Sequence, residues 1–237
     1  MPSRASAAPA FVFVPDLGAA GSEVALSASE SHYVARVCRV RVGEVLEGTD
    51  GKGALARLVV RAGDRPVRVG VESVERRERT RRAWLFCGEP EGQRDDWMVE
   101  KLAEFGVERW VPIDSERCRW DGIARRRDRW ERLAIAALKQ SRSAHLMQIA
   151  EPAALQAVHG LVPEGARRWL ASPSGEALRP PEGPGLLAAV VGPAGGLTGA
   201  EEKWLTSVGF KPVSLAPTRL RAETAAVSLG AIWAAAG

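Results

Sequence analysis

The first 75 residues alternate short apolar runs with Gly, Asp and Pro, a pattern typical of β-strands that are joined by turns. Between the first two runs, residues 29–39 have the spacing of a short helix, which Ser29 could cap. We expect the strands at 11–14, 44–48, 54–62 and 67–74. The pattern therefore predicts a small, mainly β domain over 11–75, preceded by a flexible N-terminus at 1–10.

Charged residues dominate the next segment, 75–82, which has too few apolar positions to join a core. We interpret 76–82 as a basic linker and 83–237 as a second domain. In this domain strand-like and helix-like patterns alternate, which favours an α/β sheet with helices on its faces. Only the Pro- and Gly-rich residues 173–185 are expected to be loose. The expected strands are 83–87, 109–113, 168–171, 186–191 and 211–215, and the expected helices are 95–105, 124–141, 199–208 and 221–235.

Composition narrows the function only slightly. The chain has 237 residues, 46% of them hydrophobic, so it can bury the core of one large or two modest domains. Its formal net charge is +4, and its 33 basic residues comprise five lysines and 28 arginines. Arginine binds phosphate bidentately and stacks on bases, which suits RNA, although a genomic base bias gives the same excess.

The three cysteines, Cys38, Cys87 and Cys118, are far apart and form no metal-ligand pattern with the three histidines. We expect reduced thiols in a cytoplasmic protein and no bound metal. The first ten residues lack the basic start and apolar core of a signal peptide, and no later run has membrane-spanning length. Export and membrane insertion are therefore not expected.

Two stretches near the C-terminus carry the strongest candidate chemistry. The first, 190–199, is an apolar strand that ends in Gly192-Pro193-Ala194-Gly195-Gly196. It has neither the G-x-G-x-x-G dinucleotide pattern nor the Gly-Lys-Ser/Thr of a phosphate-binding loop. Taken alone, it is better explained as an ordinary strand-to-helix turn, with Thr198 or the next residues as the helix cap.

The second stretch, 215–226, places Arg221 and Glu223 at the start of an apolar helix. A charged pair beside a Pro-containing turn is well placed to face a ligand, although a solvated cap looks similar. Together the two stretches read strand-GPxGG-helix followed by LxPxxLRxETA. This order resembles the C-terminal signature of the RsmE-type 16S rRNA (uridine-N3) methyltransferase family, within the SPOUT superfamily.

Further segments extend the resemblance over about residues 11–236. Residues 32–44 are similar to the small RNA-binding barrel of that family, with Asp50-Gly51-Lys52-Gly53 as a hairpin turn. The other matching segments are 101–107, 115–118 and 139–141. The resemblance implies a PUA-like β-barrel followed by an α/β domain with a deep trefoil knot. It also implies a homodimer that uses S-adenosylmethionine to methylate uridine N3 in small-subunit rRNA.

The same resemblance implies the site residues. Arg221 would stabilise negative charge on the uracil carbonyls, and Glu223 would orient that arginine or cap the last helix. The implied cofactor-binding residues are Ala171, Gly192, Pro193, Gly195, Gly196, Leu215, Ala216, Leu220 and Arg221. The implied RNA-binding residues are Arg36, Arg39, Arg41, Lys101, Arg117, Gln140 and Arg142. The basic runs at 76–82 and 125–132 are further candidates, but for the second run a solvated helix face is the better explanation. Trp97, Trp120, Trp130 and Trp204 are interpreted as packing residues.

The sequence also departs from the family pattern. Ala194 replaces the usual glutamate of the glycine loop, and Glu91 stands where a lysine precedes a glycine. Ala216 replaces a usual glycine, and Ser143 and His145 lie where arginines are common. Two hypotheses stay open: an active uridine-N3 methyltransferase, and a catalytically weak RNA-binding relative that acts in ribosome assembly.

Overall fold

The computed structural model describes residues 8–63, 65–179 and 182–236; residues 1–7, at the start of the expected flexible N-terminus, lie outside the described residues. The chain divides into two units between Arg79 and Thr80, inside the basic segment 76–82. Residues 138–145 group with the first unit, although they follow this segment in the chain. The rest of the chain forms the second unit.

The first unit contains a five-stranded sheet in the order β1-β3-β4-β5-β2. β1 pairs with β3 in parallel, and the other pairs are antiparallel. Alternate side chains such as Leu46, Leu58 and Val69 are fully buried in its core, as the two-residue period of a strand requires. The strands are β1 (Phe11–Phe13), β2 (Glu23–Ala25), β3 (Val45–Thr49), β4 (Ala54–Ala62) and β5 (Arg68–Arg76).

The hairpin turn between β3 and β4 confirms the prediction for 50–53. Asp50 Oδ1 accepts hydrogen bonds from Lys52 N at 2.7 Å and Ala54 N at 2.9 Å. Gly51 and Gly53 have φ angles of 71° and 108°, which glycine adopts without strain.

The predicted helix over 29–39 is wrong in its cap and in its type. Helix α1 (Ala28–His32) begins after Ser27, whose hydroxyl accepts from Glu30 N at 3.2 Å, whereas the Ser29 hydroxyl contacts that of Ser27. After His32 the chain widens into a π-helical turn, Tyr33–Cys38, which ends at Arg39 in the left-handed conformation. A wider turn of this kind leaves no signal in a 3.6-residue pattern.

Side-chain contacts explain why 138–145 belongs to the first unit. Lys139 Nζ lies 2.8 Å from both carboxylate oxygens of the buried Glu30. The carbonyl of Ala144 accepts from Thr49 Oγ1 at 3.2 Å and from Gly53 N at 2.9 Å. A buried ion pair and shared backbone bonds thus tie this segment to the small sheet.

The second unit is built on a parallel sheet in the order β12-β10-β11-β6-β7-β8, with the short β9 also paired to β7. This arrangement confirms the α/β prediction. The strands are β6 (Arg81–Cys87), β7 (Arg109–Asp114), β8 (Gln148–Ile149), β9 (Ala153–Ala154), β10 (Arg167–Ala177), β11 (Gly185–Val191) and β12 (Lys211–Ser214). The helices are α2 (Asp95–Glu104), α3 (Ile123–Ser141), α4 (Val158–Leu161), α5 (Gly199–Ser207) and α6 (Ala222–Ala235), with a 3-10 turn, Leu155–Ala157, before α4.

Aromatic packing fills one side of this sheet. Trp110, Trp120 and Trp130 meet in edge-to-face pairs with ring centroids 4.9 to 5.7 Å apart. The packing role predicted for Trp120 and Trp130 is confirmed, whereas Trp97 is 45% exposed and is not a core residue. No helix within the described ranges is long and apolar enough to cross a membrane.

Residues 173–185 are more ordered than predicted, because β10 continues to Ala177. Ala171 and Glu176 both pair with Val213 of β12, so the residues between them form an excursion from the ladder. Gly175 allows this path, since a Cβ atom there would lie 2.4 Å from the backbone nitrogen of Val213. Among the described residues of this segment, only 178–179 and 182–184 lie outside a strand.

Candidate functional site

A cavity of about 420 Å³ opens at the carboxyl edge of the parallel sheet. The excursion within β10 and the loops that follow β11 and β12 form most of its wall, because parallel strands bring these points to one edge of the sheet. Its volume is typical of a site for a small organic ligand. The lining residues are Glu91, Arg117, 171–173, 191–197, Glu202, 213–216, 218–223 and Ala225.

The glycine loop, 192–196, forms the first wall. β11 is a run of seven mostly buried residues that ends directly at this loop. Gly196 N donates to Pro193 O at 2.8 Å, and Gly196 has a φ of 71° that favours glycine. At Gly192 a Cβ atom would lie 3.0 Å from the Leu197 side chain. The loop therefore turns back on itself tightly and presents its backbone to the cavity.

A capping box fixes the exit of this loop. Thr198 Oγ1 accepts from Glu201 N at 3.3 Å, and Glu201 Oε2 accepts from Thr198 N at 2.8 Å, which confirms the predicted cap. The other carboxylate oxygen, Glu201 Oε1, accepts from Glu116 N at 2.7 Å. One buried carboxylate thus joins the start of α5 to the loop that follows β7.

Two further segments hold the glycine loop from the side of β6 and β7. Gly88 N donates to Val191 O at 2.9 Å, and Ala194 N donates to Glu89 O at 3.1 Å. Arg117 Nη1 donates to Gly195 O at 3.2 Å. The position of the loop is therefore set largely by backbone groups.

The second wall is the loop between β12 and α6. Arg221 is the N-cap residue of α6 and is exposed at the cavity. Glu223, two residues later, is only 3% exposed. Its Oε1 accepts from Arg94 Nη1 at 2.8 Å. The sequence analysis expected Glu223 to orient Arg221 or to cap the last helix, whereas the structure pairs it with Arg94. No signal in the sequence indicated Arg94, which lies far from the signature motifs at the start of α2.

All nine predicted cofactor-binding residues line this one cavity, together with Glu223 and Arg117. The two residues that depart from the family pattern, Glu91 and Ala194, line it as well. The sequence analysis missed lining residues that flank the motifs: Ser172, Pro173, Leu197, Glu202, Thr218 and Arg219. Their only signal is adjacency to the motif residues.

The predicted RNA-binding residues are spread over both units. Arg117 is at the cavity, whereas Lys101 lies on α2, where its Nζ contacts Glu100 and Glu104 at 2.7 Å. Hydrogen bonds to these two carboxylates raise the pKa of Lys101. The remaining predicted residues belong to the first unit, and all but Arg142 are exposed: Arg36, Arg39, Arg41, Gln140 and Arg142.

Several predicted basic groups already have acidic partners. Arg142 forms an ion pair with Glu47 and donates to Pro9 O at 2.6 Å. On α3, Arg126, Arg127 and Arg129 each pair with carboxylates. Arg129 is exposed, as expected for a solvated helix face, whereas Arg126 and Arg127 are only partly exposed.

Comparison with known proteins places the chain among RNA-modifying enzymes. A family model described as an RNA methyltransferase domain matches residues 77–234. Ribosomal RNA small subunit methyltransferase E from Mycobacterium bovis is 30% identical over 249 aligned positions, which cover 93% of this chain and 89% of that protein. The protein of the same name from Aquifex aeolicus is 36% identical over 142 residues, and the match spans 58% of this chain but only 61% of that relative.

Solved structures of other proteins match the fold of this chain over nearly its whole length. A probable rRNA methyltransferase from Porphyromonas gingivalis is 31% identical, with a TM-score of 0.79 and coverage of 93% of this chain and 94% of that one. The small-subunit methyltransferase E from Neisseria gonorrhoeae, bound to S-adenosyl methionine, is 25% identical, with a TM-score of 0.85 and coverage of 94% and 95%. With a family match over about two thirds of its length and relatives aligned end to end, the chain belongs to the RNA methyltransferase family that includes ribosomal RNA small subunit methyltransferase E.

Proposed function

We propose that this protein transfers a methyl group from S-adenosylmethionine to N3 of a uridine in 16S rRNA. The observation that carries the proposal is the cavity at the carboxyl edge of the parallel sheet, where the glycine loop and the Arg221 loop meet in a chain of this family. The proposed setting is the small ribosomal subunit during its assembly in the cytoplasm.

The cavity fits the cofactor. Its lining combines the backbone of the glycine loop with apolar side chains that suit an adenine ring, among them Leu197, Leu215 and Leu220. Three acidic and three arginine side chains also line it: Glu91, Glu202, Glu223, Arg117, Arg219 and Arg221. A balanced set of charges suits a ligand with a carboxylate, an ammonium and a sulfonium group.

The chain's own residues must then position the base and stabilise its charge. The bound cofactor supplies a methyl group that is already activated by the sulfonium, so no nucleophilic side chain is needed. The guanidinium of Arg221, at the mouth of the cavity, would stabilise negative charge on the uracil carbonyls as the ring loses its proton. The target base must leave its stack to reach this position.

We also propose the finer features that the family resemblance implies. In the sheet, β10 lies between β12 and β11, so the connection from β11 to β12 crosses over β10. Together with the excursion at 172–175, this crossover supports a trefoil knot. The five-stranded sheet of the first unit, with Arg36, Arg39 and Arg41 exposed, supports a PUA-like RNA-binding barrel. A homodimer is proposed as well, and light scattering during gel filtration tests it.

A methyl-transfer assay tests the proposed function. Small ribosomal subunits that lack the modification, incubated with the protein and methyl-labelled cofactor, are expected to incorporate label as N3-methyluridine. Arg221→Ala should abolish incorporation, whereas Lys211→Ala, which removes an exposed ion pair with Glu176 on the same unit, should leave it unchanged. Label in another nucleoside, or full activity of the Arg221 variant, would contradict the proposal.

A second candidate function follows from Ala194 and Glu91, which both line the cavity and both depart from the family pattern. In this alternative the protein binds RNA and contributes to ribosome assembly with little turnover. Tight binding of the small-subunit RNA without any incorporated label would favour it.

A further inference from the structure

The ion pair between Arg94 and Glu223 joins two helices of the second unit at the cavity. Arg94 is the N-cap residue of α2, and Glu223 is in the first turn of α6. The distance from Arg94 Nη1 to Glu223 Oε1 is 2.8 Å. The arginine side chain is 44% exposed, whereas that of the glutamate is 4% exposed. A partly exposed arginine therefore fixes the orientation of a nearly buried carboxylate.

Arg94 does not engage the second oxygen of this carboxylate, Oε2. Glu223 Oε2 is buried and has no hydrogen-bond partner within the described ranges. Leaving a buried polar atom unpaired is unfavourable by about 1–3 kcal/mol, and by more for a charged group. Because Glu223 lines the cavity, a ligand that offers an N–H group there would remove this penalty.

We propose that Glu223 Oε2 accepts the N3 proton of the target uracil and that Arg94 is the residue that positions it. This inference rests on the proposed function, since N3–H is the donor that a uridine-N3 methyltransferase must deprotonate. Among the charged residues at the cavity, Glu223 is the one that combines deep burial, a fixed orientation and a free acceptor.

The step balances as follows. The N3–H bond breaks, its proton forms an O–H bond with Oε2, and the electron pair stays on N3. That pair forms the new bond to the methyl carbon, while the bond from this carbon to sulfur breaks and leaves its electrons on sulfur. Glu223 then returns the proton to solvent. No other reactant is required.

The charged groups near Glu223 come from α2 and from the cavity wall. Arg94 is its direct partner, and α2 also carries the buried Asp95, whose carboxylate is held by Arg126 at 3.3 Å and by Trp130 Nε1 at 3.0 Å. The other charged residues that line the cavity are Glu91, Arg117, Glu202, Arg219 and Arg221.

Single-turnover methylation, measured against pH, tests the proposal with three variants. Glu223→Gln keeps the shape but removes the base, so its rate near pH 7 should fall by about 10²-fold or more. The deficit should shrink at alkaline pH, where the uracil ring loses its N3 proton to solvent. Arg94→Gln should lower the single-turnover rate while the affinities for cofactor and RNA stay those of the wild type, because the carboxylate loses the group that fixes its orientation. Lys211→Gln is the matched control: its side chain is 60% exposed and also pairs with a glutamate, and its profile should equal that of the wild type.

Binding measurements separate a base from an anchor. Calorimetry with S-adenosylhomocysteine and filter binding of small-subunit RNA should give Glu223→Gln affinities within about twofold of the wild type. A larger loss of either affinity, or a rate deficit that is the same at every pH, would overturn the proposal. If the Glu223 variant does not fold, as judged by circular dichroism, the Arg94→Gln rate decides, and a rate equal to that of the wild type would overturn the proposal. Absence of methylation by the wild-type protein would instead reject the proposed function itself.

Discussion

Gly88 follows β6 and lies against Pro193 of the glycine loop. Its replacement by alanine tests how closely the end of β6 must approach this loop. Gly88 N donates to Val191 O at 2.9 Å, which holds the end of β11 beside it. A Cβ atom at position 88 would lie 2.5 Å from Pro193 N and 2.7 Å from Pro193 Cα. These neighbours are backbone atoms and a ring, so they cannot rotate away as a flexible side chain could.

The size of the effect follows from these distances. The loop must move by at least about 0.5 Å to bring the nearest contact to 3.0 Å, the practical limit for a Cβ atom. Overpacking of this kind is destabilising by about 1–3 kcal/mol. If the loop takes up the strain, the affinity for S-adenosylmethionine should fall by about 5- to 150-fold, the factor that corresponds to this energy.

Calorimetric titration with S-adenosylmethionine and urea denaturation together measure the two ways in which Gly88→Ala can act. Gly199→Ala is the matched control, since Gly199 lies just beyond the same loop and a Cβ atom there would meet nothing within 4 Å. The control should bind and unfold like the wild type. If Gly88→Ala showed unchanged affinity and unchanged stability, the close approach of the two segments would not be a constraint on the site.

Three further predictions concern the free energy of unfolding. Lys139→Met should destabilise the first unit by about 3–5 kcal/mol in urea denaturation, because the buried Glu30 carboxylate loses its cation; an unchanged midpoint would contradict this. Burial raises the pKa of the Cys87 thiol to about 12 from an ordinary value near 9, so above pH 9 the unfolded chain has lost a proton that the folded protein keeps. Stability should therefore fall with rising pH by about 1.4 kcal/mol per pH unit, and Cys87→Ala should remove that part of the slope in denaturation at pH 9 to 11. Thr198→Ala should lower the unfolding free energy by about 0.5–2 kcal/mol through loss of the helix cap; an equal loss in Thr206→Ala, whose hydroxyl donates only to the preceding turn of its own helix, would argue against this.

Long, strongly patterned elements were predictable from the sequence. The strands and helices that were predicted for the second unit lie within a few residues of their expected positions, except that β10 runs six residues further than expected. The extension escapes periodicity because it depends on Gly175 lying against β12, a contact between distant parts of the chain. β2, β8 and β9 were missed because two or three residues do not establish a repeat.

The site could be predicted from the sequence where a motif directly follows a strand. Residues of the two signature stretches meet at one cavity, since each follows a parallel strand and all these strands end at the same edge. Arg94 was not predictable, because its role depends on α2 packing against α6, and nothing near it in sequence signals that contact. Pairings between helices are tertiary facts that local patterns do not encode.

Ala194 illustrates how a departure from a family pattern should be weighed. The structure uses this position through its backbone: Ala194 N donates to Glu89 O, and the neighbouring Gly195 O accepts from Arg117. Any residue with a backbone N–H can make the first bond, so loss of the usual glutamate side chain does not by itself displace the loop. A carboxylate from α5 supports the exit of the loop, because Glu201 accepts from both Thr198 N and Glu116 N. The substitution therefore removes a charge from the cavity wall while the support that shapes the wall is retained, and its effect should appear in ligand affinity before it appears in fold stability.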